Sequence, residues 1–198
     1  MMKHSMMKPL LVVLGFCAVT QARASDFIFF NGFEQFQPPV PGSVIFTEIM
    51  SNPTVVPDAD GEWFELKNLS EQILNLGDCT VAGSGGSPNA LPQFVFTAGN
   101  FAVVARNADM GANGGVDAFA AFTFSLAASG TLTLTCDGSV IDTVSWSAES
   151  AGNSRNLDEG HFSAIDNDNP ANWCYSTIAY NNGDTGSPGS VNEQCPAR

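Results

Sequence analysis

The stretch Thr131-Leu132-Thr133-Leu134-Thr135-Cys136-Asp137-Gly138-Ser139-Val140-Ile141-Asp142-Thr143-Val144-Ser145-Trp146 decides the fold class. From Thr131 onward threonine and leucine alternate with a period of two, the period at which the side chains of a strand share a face. Leu132 and Leu134 turn one way and the threonines the other, and we place Cys136 on the threonine face. Asp137-Gly138 is a two-residue turn of the kind that closes a hairpin. Ser139 to Trp146, rich in β-branched residues, is the returning strand.

Working outward from this hairpin, the same texture recurs. Val44 to Met50, Glu62 to Asn68, Gln72 to Leu76, Cys79 to Ala82, Gln93 to Phe96 and Phe101 to Ala105 are short β-branched or aromatic runs. In the second of these Phe64 breaks the alternation. Clusters of Gly, Ser, Pro and Asn, such as Gly83 to Pro88 and Asn107 to Gly115, separate the runs as loops. Ser147 to Pro170 is polar and reads as loop, and Trp173-Cys174-Tyr175 resumes the strand texture. No window sustains helical periodicity. Many short strands punctuated by turn signals indicate an all-β sandwich or barrel.

The N-terminus has a different character. Lys3 and Lys8 precede the apolar run Leu10 to Val19, and Ala22-Arg23-Ala24 follows. This is the tripartite pattern of a secretory signal with cleavage after Ala24, and the run is shorter than the roughly 20 residues a membrane span needs. Cys17 falls inside the discarded apolar core, behind the bulky Phe16. We therefore divide the chain into a signal peptide (1–24), an aromatic and proline-rich leader (25–42) and a β domain (43–198). In the leader, five phenylalanines lie between residues 27 and 36. They are costly to leave in water, so this aromatic part either packs on the domain as an edge strand, which we expect, or docks on something else, while the Pro-rich part reads as an extended spacer. Secretion or residence in the periplasm follows.

The full chain has 7 Lys+Arg against 20 Asp+Glu. Loss of the signal peptide leaves Lys67, Arg106, Arg155 and Arg198 against all 20 acids, a formal charge of −16. So few cations cannot neutralise many phosphates, which disfavours nucleic acid as a partner. No second apolar stretch is long enough to span a membrane. Four cysteines remain after cleavage, and an even count in an exported chain reads as disulfides. Three pairings are possible; we expect Cys79–Cys136 and Cys174–Cys195. Zinc would want a Cys-x-x-Cys pair or several histidines, and His161 is the one histidine beyond the signal peptide.

Several segments taken together resemble the lamin-tail domain in its bacterial exported form. Val44 to Pro53, with Glu48, is similar to the family's opening strand. Gly61-Glu62-Trp63-Phe64-Glu65-Leu66-Lys67-Asn68 is similar to its G-E-W-x-E-L-x-N motif, carried by Gly61, Glu62, Trp63, Glu65 and Asn68. Ile73 to Val81 resembles the segment that follows, with Cys79 where the family often has an aromatic. Asn167 to Cys174 and Gly183 to Asn192 resemble its N-W-C and G-T-P-G-x-x-N endings. The resemblance implies an immunoglobulin-like β-sandwich that binds or supports rather than catalyses. In nuclear lamins such domains bind protein partners and nucleic acid, and bacterial members are often appended to exported hydrolases. No catalytic companion is present here.

The catalytic inventory is thin. A Ser-His-Asp arrangement would have to use His161, which sits in a loop between Gly160 and Phe162. There is no Gly-x-Ser-x-Gly elbow, and neither a phosphate loop nor a His-Glu-x-x-His motif. Paired carboxylates are a possible route to glycoside hydrolysis. Glu62 and Glu65, three apart on a strand, point to opposite faces. Glu65 reads as a structural carboxylate bonded to a turn or to Asn68. Calcium is the alternative with the most residues behind it. Asp58, Asp60 and Glu62 form one cluster of hard oxygen donors, and Asp166 and Asp168 another. The first copies only a fragment of an EF-hand loop, and Asp, Asn and Gly also favour turns for backbone reasons. Trp63, Trp146, Trp173 and Tyr175 are candidates for stacking on sugar rings but equally suit a core. The sequence thus leads to an exported, non-catalytic binding module with a protein or polymer partner. A calcium-dependent adhesion or carbohydrate-binding module is the alternative.

Overall fold

The computed structural model describes residues 36–197. The segment expected to be a signal peptide (1–24) and residues 25–35 of the leader lie outside the described residues. Where the leader enters them, the Gln37 N–H donates to the Ile73 carbonyl at 3.2 Å and the Asn75 N–H donates to the Gln37 carbonyl at 3.1 Å. These last leader residues therefore run alongside residues 73–75; the phenylalanine-rich part expected to pack as an edge strand lies, but for Phe36, outside the described residues.

The chain is built of strands. In order they are β1 (Val44–Met50), β2 (Trp63–Asn68), β3 (Leu74–Asn75), β4 (Cys79–Gly83), β5 (Asn89–Ala90) and β6 (Val95–Phe96). There follow β7 (Phe101–Ala105), β8 (Ala120–Ala121), β9 (Gly130–Cys136), β10 (Ser139–Trp146), β11 (Arg155–Leu157) and β12 (Trp173–Tyr175). A single helical turn, α1 (Asp58–Gly61), precedes β2. A six-stranded sheet has the order β12-β11-β1-β2-β7-β8, a four-stranded sheet β10-β9-β4-β5, and β3 pairs with β6. All pairings between strands are antiparallel except β7 with β8.

The two larger sheets enclose one apolar core. Phe46, Phe64 and Leu66 of the six-stranded sheet and Val81, Leu132, Leu134 and Val144 of the four-stranded sheet belong to it, all essentially without exposure. The hairpin that opened the reading of the sequence is present as β9–β10. Asp137 (φ 49°) and Gly138 (φ 76°) both take positive φ at its turn, as a two-residue turn matched to strand twist requires. Cys136 corrects the sequence reading: it has the parity of Leu132 and Leu134 and is buried with them. It faces Cys79 directly across β4–β9, and the two are disulfide-bonded. The second bridge joins Cys174 to Cys195, so both expected pairings are present.

Two stretches depart from expectation. Ser147 to Pro170 contains β11, which pairs with β1 on one side and β12 on the other. Its apolar content is low because Asn156, at its centre, is buried and paired rather than solvated. In β2, Trp63, Phe64, Glu65 and Leu66 are all buried, because the six-stranded sheet is covered on both faces. Phe64 and Leu66 enter the main core, whereas Trp63 packs on the opposite face with Met50, Val103, Ala105 and Val116. Tyr180, from the chain after β12, lies against that second cluster.

One irregularity positions the site. Pairing between β1 and β2 shifts between Phe46 and Glu48, leaving Thr47 as an extra residue in β1. Such a bulge re-aims the side chains that follow it. Phe46 and Ile49 both reach the main core, and Glu48 is set opposite Glu65 on the other face.

Candidate functional site

Glu48 and Glu65 face one another across β1–β2, and both are fully buried. A buried carboxylate needs donors around it, and here the C-terminal segment supplies them. The Ser187 N–H donates to Glu48 Oε1 at 3.0 Å and the Ser187 hydroxyl to Oε2 at 2.9 Å. The Ser154 hydroxyl also donates to Glu48. Two residues beyond Ser187, the Gly189 N–H donates to Glu65 Oε2 at 2.7 Å, while Thr47 Oγ1 donates to Oε1 at 2.7 Å. Asn192 completes the attachment: its amide donates to the Thr47 and Leu157 carbonyls, both at 2.8 Å. Residues 186–192 thus form a strap across the six-stranded sheet, gripped by two glutamates and one asparagine.

The start of the strap is held separately. Asp184 is fully buried. Its carboxylate accepts from the Thr54 N–H at 2.8 Å and the Thr54 hydroxyl at 2.6 Å. Beneath the strap, Trp63 Nε1 donates to the Tyr180 hydroxyl at 3.3 Å, and the two rings meet edge to face at 5.9 Å. Gly186 is needed where it passes over this ring, since a Cβ there would lie 3.0 Å from Trp63 and 3.1 Å from Glu48.

Burial governs the electrostatics. It raises Glu48 from 4.5 to about 7, against the lowering effect of the bonds from Ser154 and Ser187. Glu65 is held well above the usual carboxylate range, first by burial and then by the charge of Glu48. Burial likewise raises Tyr180 to about 12. A further buried acid, Asp142 of β10, joins the two sheets: its Oδ2 accepts from the Phe46 N–H at 2.8 Å and the Asn167 amide at 2.7 Å. Burial lifts it from 3.8 to about 7.

The remaining motif residues are also absorbed by the fold. Glu62 accepts from the Leu126 N–H at 2.9 Å and the Ser125 hydroxyl at 3.0 Å, and pairs with Arg106 at 3.2 Å. Glu62 and Glu65 therefore hold different segments of chain. Asn68 donates to the Gln72 and Phe96 carbonyls, both at 2.9 Å, and accepts from the Ser70 N–H at 2.9 Å, so it ties a turn rather than pairing with Glu65. Gly61 sits where a Cβ would come within 2.5 Å of Val56 and 2.8 Å of Pro53. Gly61→Ala is accordingly expected to cost about 1–3 kcal/mol through overpacking, seen as a lower urea midpoint with an unchanged slope.

The calcium candidates are not brought together. Asp60 accepts from the Asn107 amide at 2.9 Å, and Asp58 is exposed on α1. Asp166 accepts from the Ser163 hydroxyl at 2.7 Å, and Asp168 is exposed. Among the described residues no three His, Cys, Asp or Glu side chains are grouped to hold a metal ion. His161 lies 3.8 Å from Asp166, but the Ser163 hydroxyl is directed to the same carboxylate, an order unlike that of a nucleophilic triad. The indoles of Trp63, Trp146 and Trp173 are buried, and each donates internally.

Ser187, Asn192, Asp184 and Asp142 carry roles that the sequence did not assign to them. An acid inside Val140-Ile141-Asp142-Thr143-Val144 was the available signal for Asp142, because a mid-strand carboxylate is expensive to bury without partners. Neither the comparison with protein-family models nor that with curated proteins returned a match.

Proposed function

We propose that this chain is an exported, non-catalytic interaction module: an immunoglobulin-like β-sandwich of the lamin-tail type that binds a protein or polymer partner outside the cytoplasm. The observation that carries the reading is the fate of the motif. Glu48, Glu62 and Glu65 are buried and accept from backbone or side-chain donors of the fold, and the buried Asn68 amide donates to the Phe96 carbonyl. General acid–base chemistry needs a carboxylate within reach of substrate, whereas these carboxylates attach strands to loops. Two disulfides fit an oxidising compartment. The exposed acids Asp58, Asp109, Asp117, Asp137, Glu149, Glu159 and Asp168 leave a surface suited to a cationic partner.

The test is export followed by crosslinking. The full chain, produced in a Gram-negative host, is expected outside the cytoplasm as a polypeptide beginning at Ser25 with all four cysteines oxidised. Photo-crosslinking of that product to intact envelope should give one discrete adduct, lost on reduction. Retention in the cytosol with free thiols, or an oxidised product that crosslinks to nothing, would overturn the proposal.

A further inference from the structure

Resting on the reading of this domain as a binding module, we infer that a hollow beside the strap recognises a basic, partly apolar segment of a partner protein. The hollow, about 360 Å³, lies between Phe94, Phe101, Phe119 and Pro188, with Asp117 on its wall. The Phe94 and Phe119 rings stack at 4.1 Å and form a continuous apolar surface. Asp117 is exposed, and among the described residues it forms no ion pair.

Phenyl faces next to one carboxylate suit a side chain with an aliphatic stem and a cationic head. The stem covers ring surface while the head meets the acid. The same region already holds such a group. Lys67 Nζ stands 3.9 Å above the centre of the Phe101 ring and 5.1 Å from that of Phe162. That ammonium donates to the Gly99 carbonyl at 2.8 Å, and Lys67 does not line the hollow.

The polar side chains point away from a sugar. Glycan sites set several directional donors and acceptors around the ring, whereas among the described residues Asp117 is the one polar side chain lining this hollow. Charge complementarity favours a cation, since the mature chain is left at −16. Pro188 also borders a second hollow of about 380 Å³, lined by Ile178, Tyr180 and Val191. Ile178 and Val191 are 47% and 56% exposed and offer apolar surface on this second hollow. An extended segment with a basic and an apolar residue two positions apart, and hence on one face, would place a lysine or arginine against Asp117 and an aliphatic side chain on Ile178 and Val191.

The probe is an acetylated, amidated hexapeptide, Gly-Lys-Ser-Leu-Ser-Gly, which sets one lysine and one leucine two positions apart on the same face, titrated into the oxidised, isotopically labelled mature protein. Amide shifts are expected to cluster at Phe94, Phe101 to Val103, Asp117 to Phe119 and residues 178–191. Asp117→Asn should weaken binding by about three- to fivefold, the loss of one solvent-exposed charged contact. Asp168→Asn, an equal change of charge elsewhere, should weaken it less than about twofold. Equal losses from both variants, shifts scattered over the acidic surface, no binding, or a chito-oligosaccharide binding where the peptide does not would each overturn the inference. A discrete envelope adduct alongside any of these results would leave the module reading standing; failure of export or oxidation would remove the reading itself.

Discussion

Glu48→Ala is expected to destabilise the oxidised protein by roughly 3–5 kcal/mol. The substitution strands the Ser187 N–H beneath the strap and removes charge-assisted bonds from the Ser187 and Ser154 hydroxyls. A buried donor left without its acceptor costs about 1–3 kcal/mol, and bonds to charged groups are worth about 1.5–3 kcal/mol each. The hydroxyls can reorient, whereas the backbone N–H has no such freedom. For a domain of this size the melting temperature should fall by roughly 10 °C. A variant within about 1 kcal/mol of wild type would mean that Glu48 does not hold the strap.

The same carboxylate sets an unusual response to pH. Glu48 is raised from 4.5 to about 7 and Asp142 from 3.8 to about 7, while Glu65 shifts in the same direction. The folded state then retains protons that the unfolded chain releases, so stability declines as pH rises. The contribution is complete below about pH 4, is lost progressively up to about 7, and is absent above that. The difference is on the order of 3–4 kcal/mol each for Glu48 and Asp142. Melting temperature should therefore be higher at pH 5 than at pH 8. Glu48→Gln, an uncharged isostere, should flatten the profile.

The second large effect is expected at the bridge between β4 and β9. Cys79 and Cys136 are 57 residues apart in sequence, and the chain-entropy model gives about 4 kcal/mol for closing such a loop. Both sulfurs are buried in the main core, so their removal also leaves a void. The double variant Cys79→Ala/Cys136→Ala should lose about 4 kcal/mol or more of a total that is typically about 5–15 kcal/mol. Cys174 and Cys195, 21 residues apart, should cost less, about 3 kcal/mol. Urea unfolding of the two variants under oxidising conditions measures both losses. The reverse ranking would show that the C-terminal staple, not the core bridge, limits stability.

Features written in local chemistry were legible. The Asp137-Gly138 turn, the alternation of β9 and the run of β10 need only near neighbours in sequence, and an even count of cysteines pointed to disulfides, whose pairing is the one expected among three. What escaped depends on distant chain. Trp63 to Leu66 could not be read as a strand buried on both faces until the segment that includes Tyr180 was in place over it. The bulge at Thr47 decides which face Glu48 joins, and nothing in Phe46-Thr47-Glu48 announces it. Glu48 meets Ser187 across 139 residues. Asn156 disguised β11 because a buried, bonded asparagine looks the same in sequence as a solvated one. Cys136 was assigned to the wrong face although its spacing of two from Leu134 sufficed to place it. The Asp58–Glu62 and Asp166–Asp168 clusters show the reverse ambiguity: the residues that favour calcium also favour turns, and here their side chains bond to Asn107, Arg106 and Ser163.

The most direct measurement is native-state hydrogen exchange at the Ser187 and Gly189 amides, in wild type and in Glu48→Ala. With two buried glutamates gripping the strap, both amides should be protected to nearly the level of β1 and β2, because each donates to an acceptor that water does not reach. In Glu48→Ala, Ser187 should exchange at least about tenfold faster, an opening cheaper by about 1.4 kcal/mol, while the amides of β1 and β2 remain protected. Free exchange at Ser187 in the wild-type protein would contradict the assignment of these carboxylates as clamps and reopen them to a chemical role.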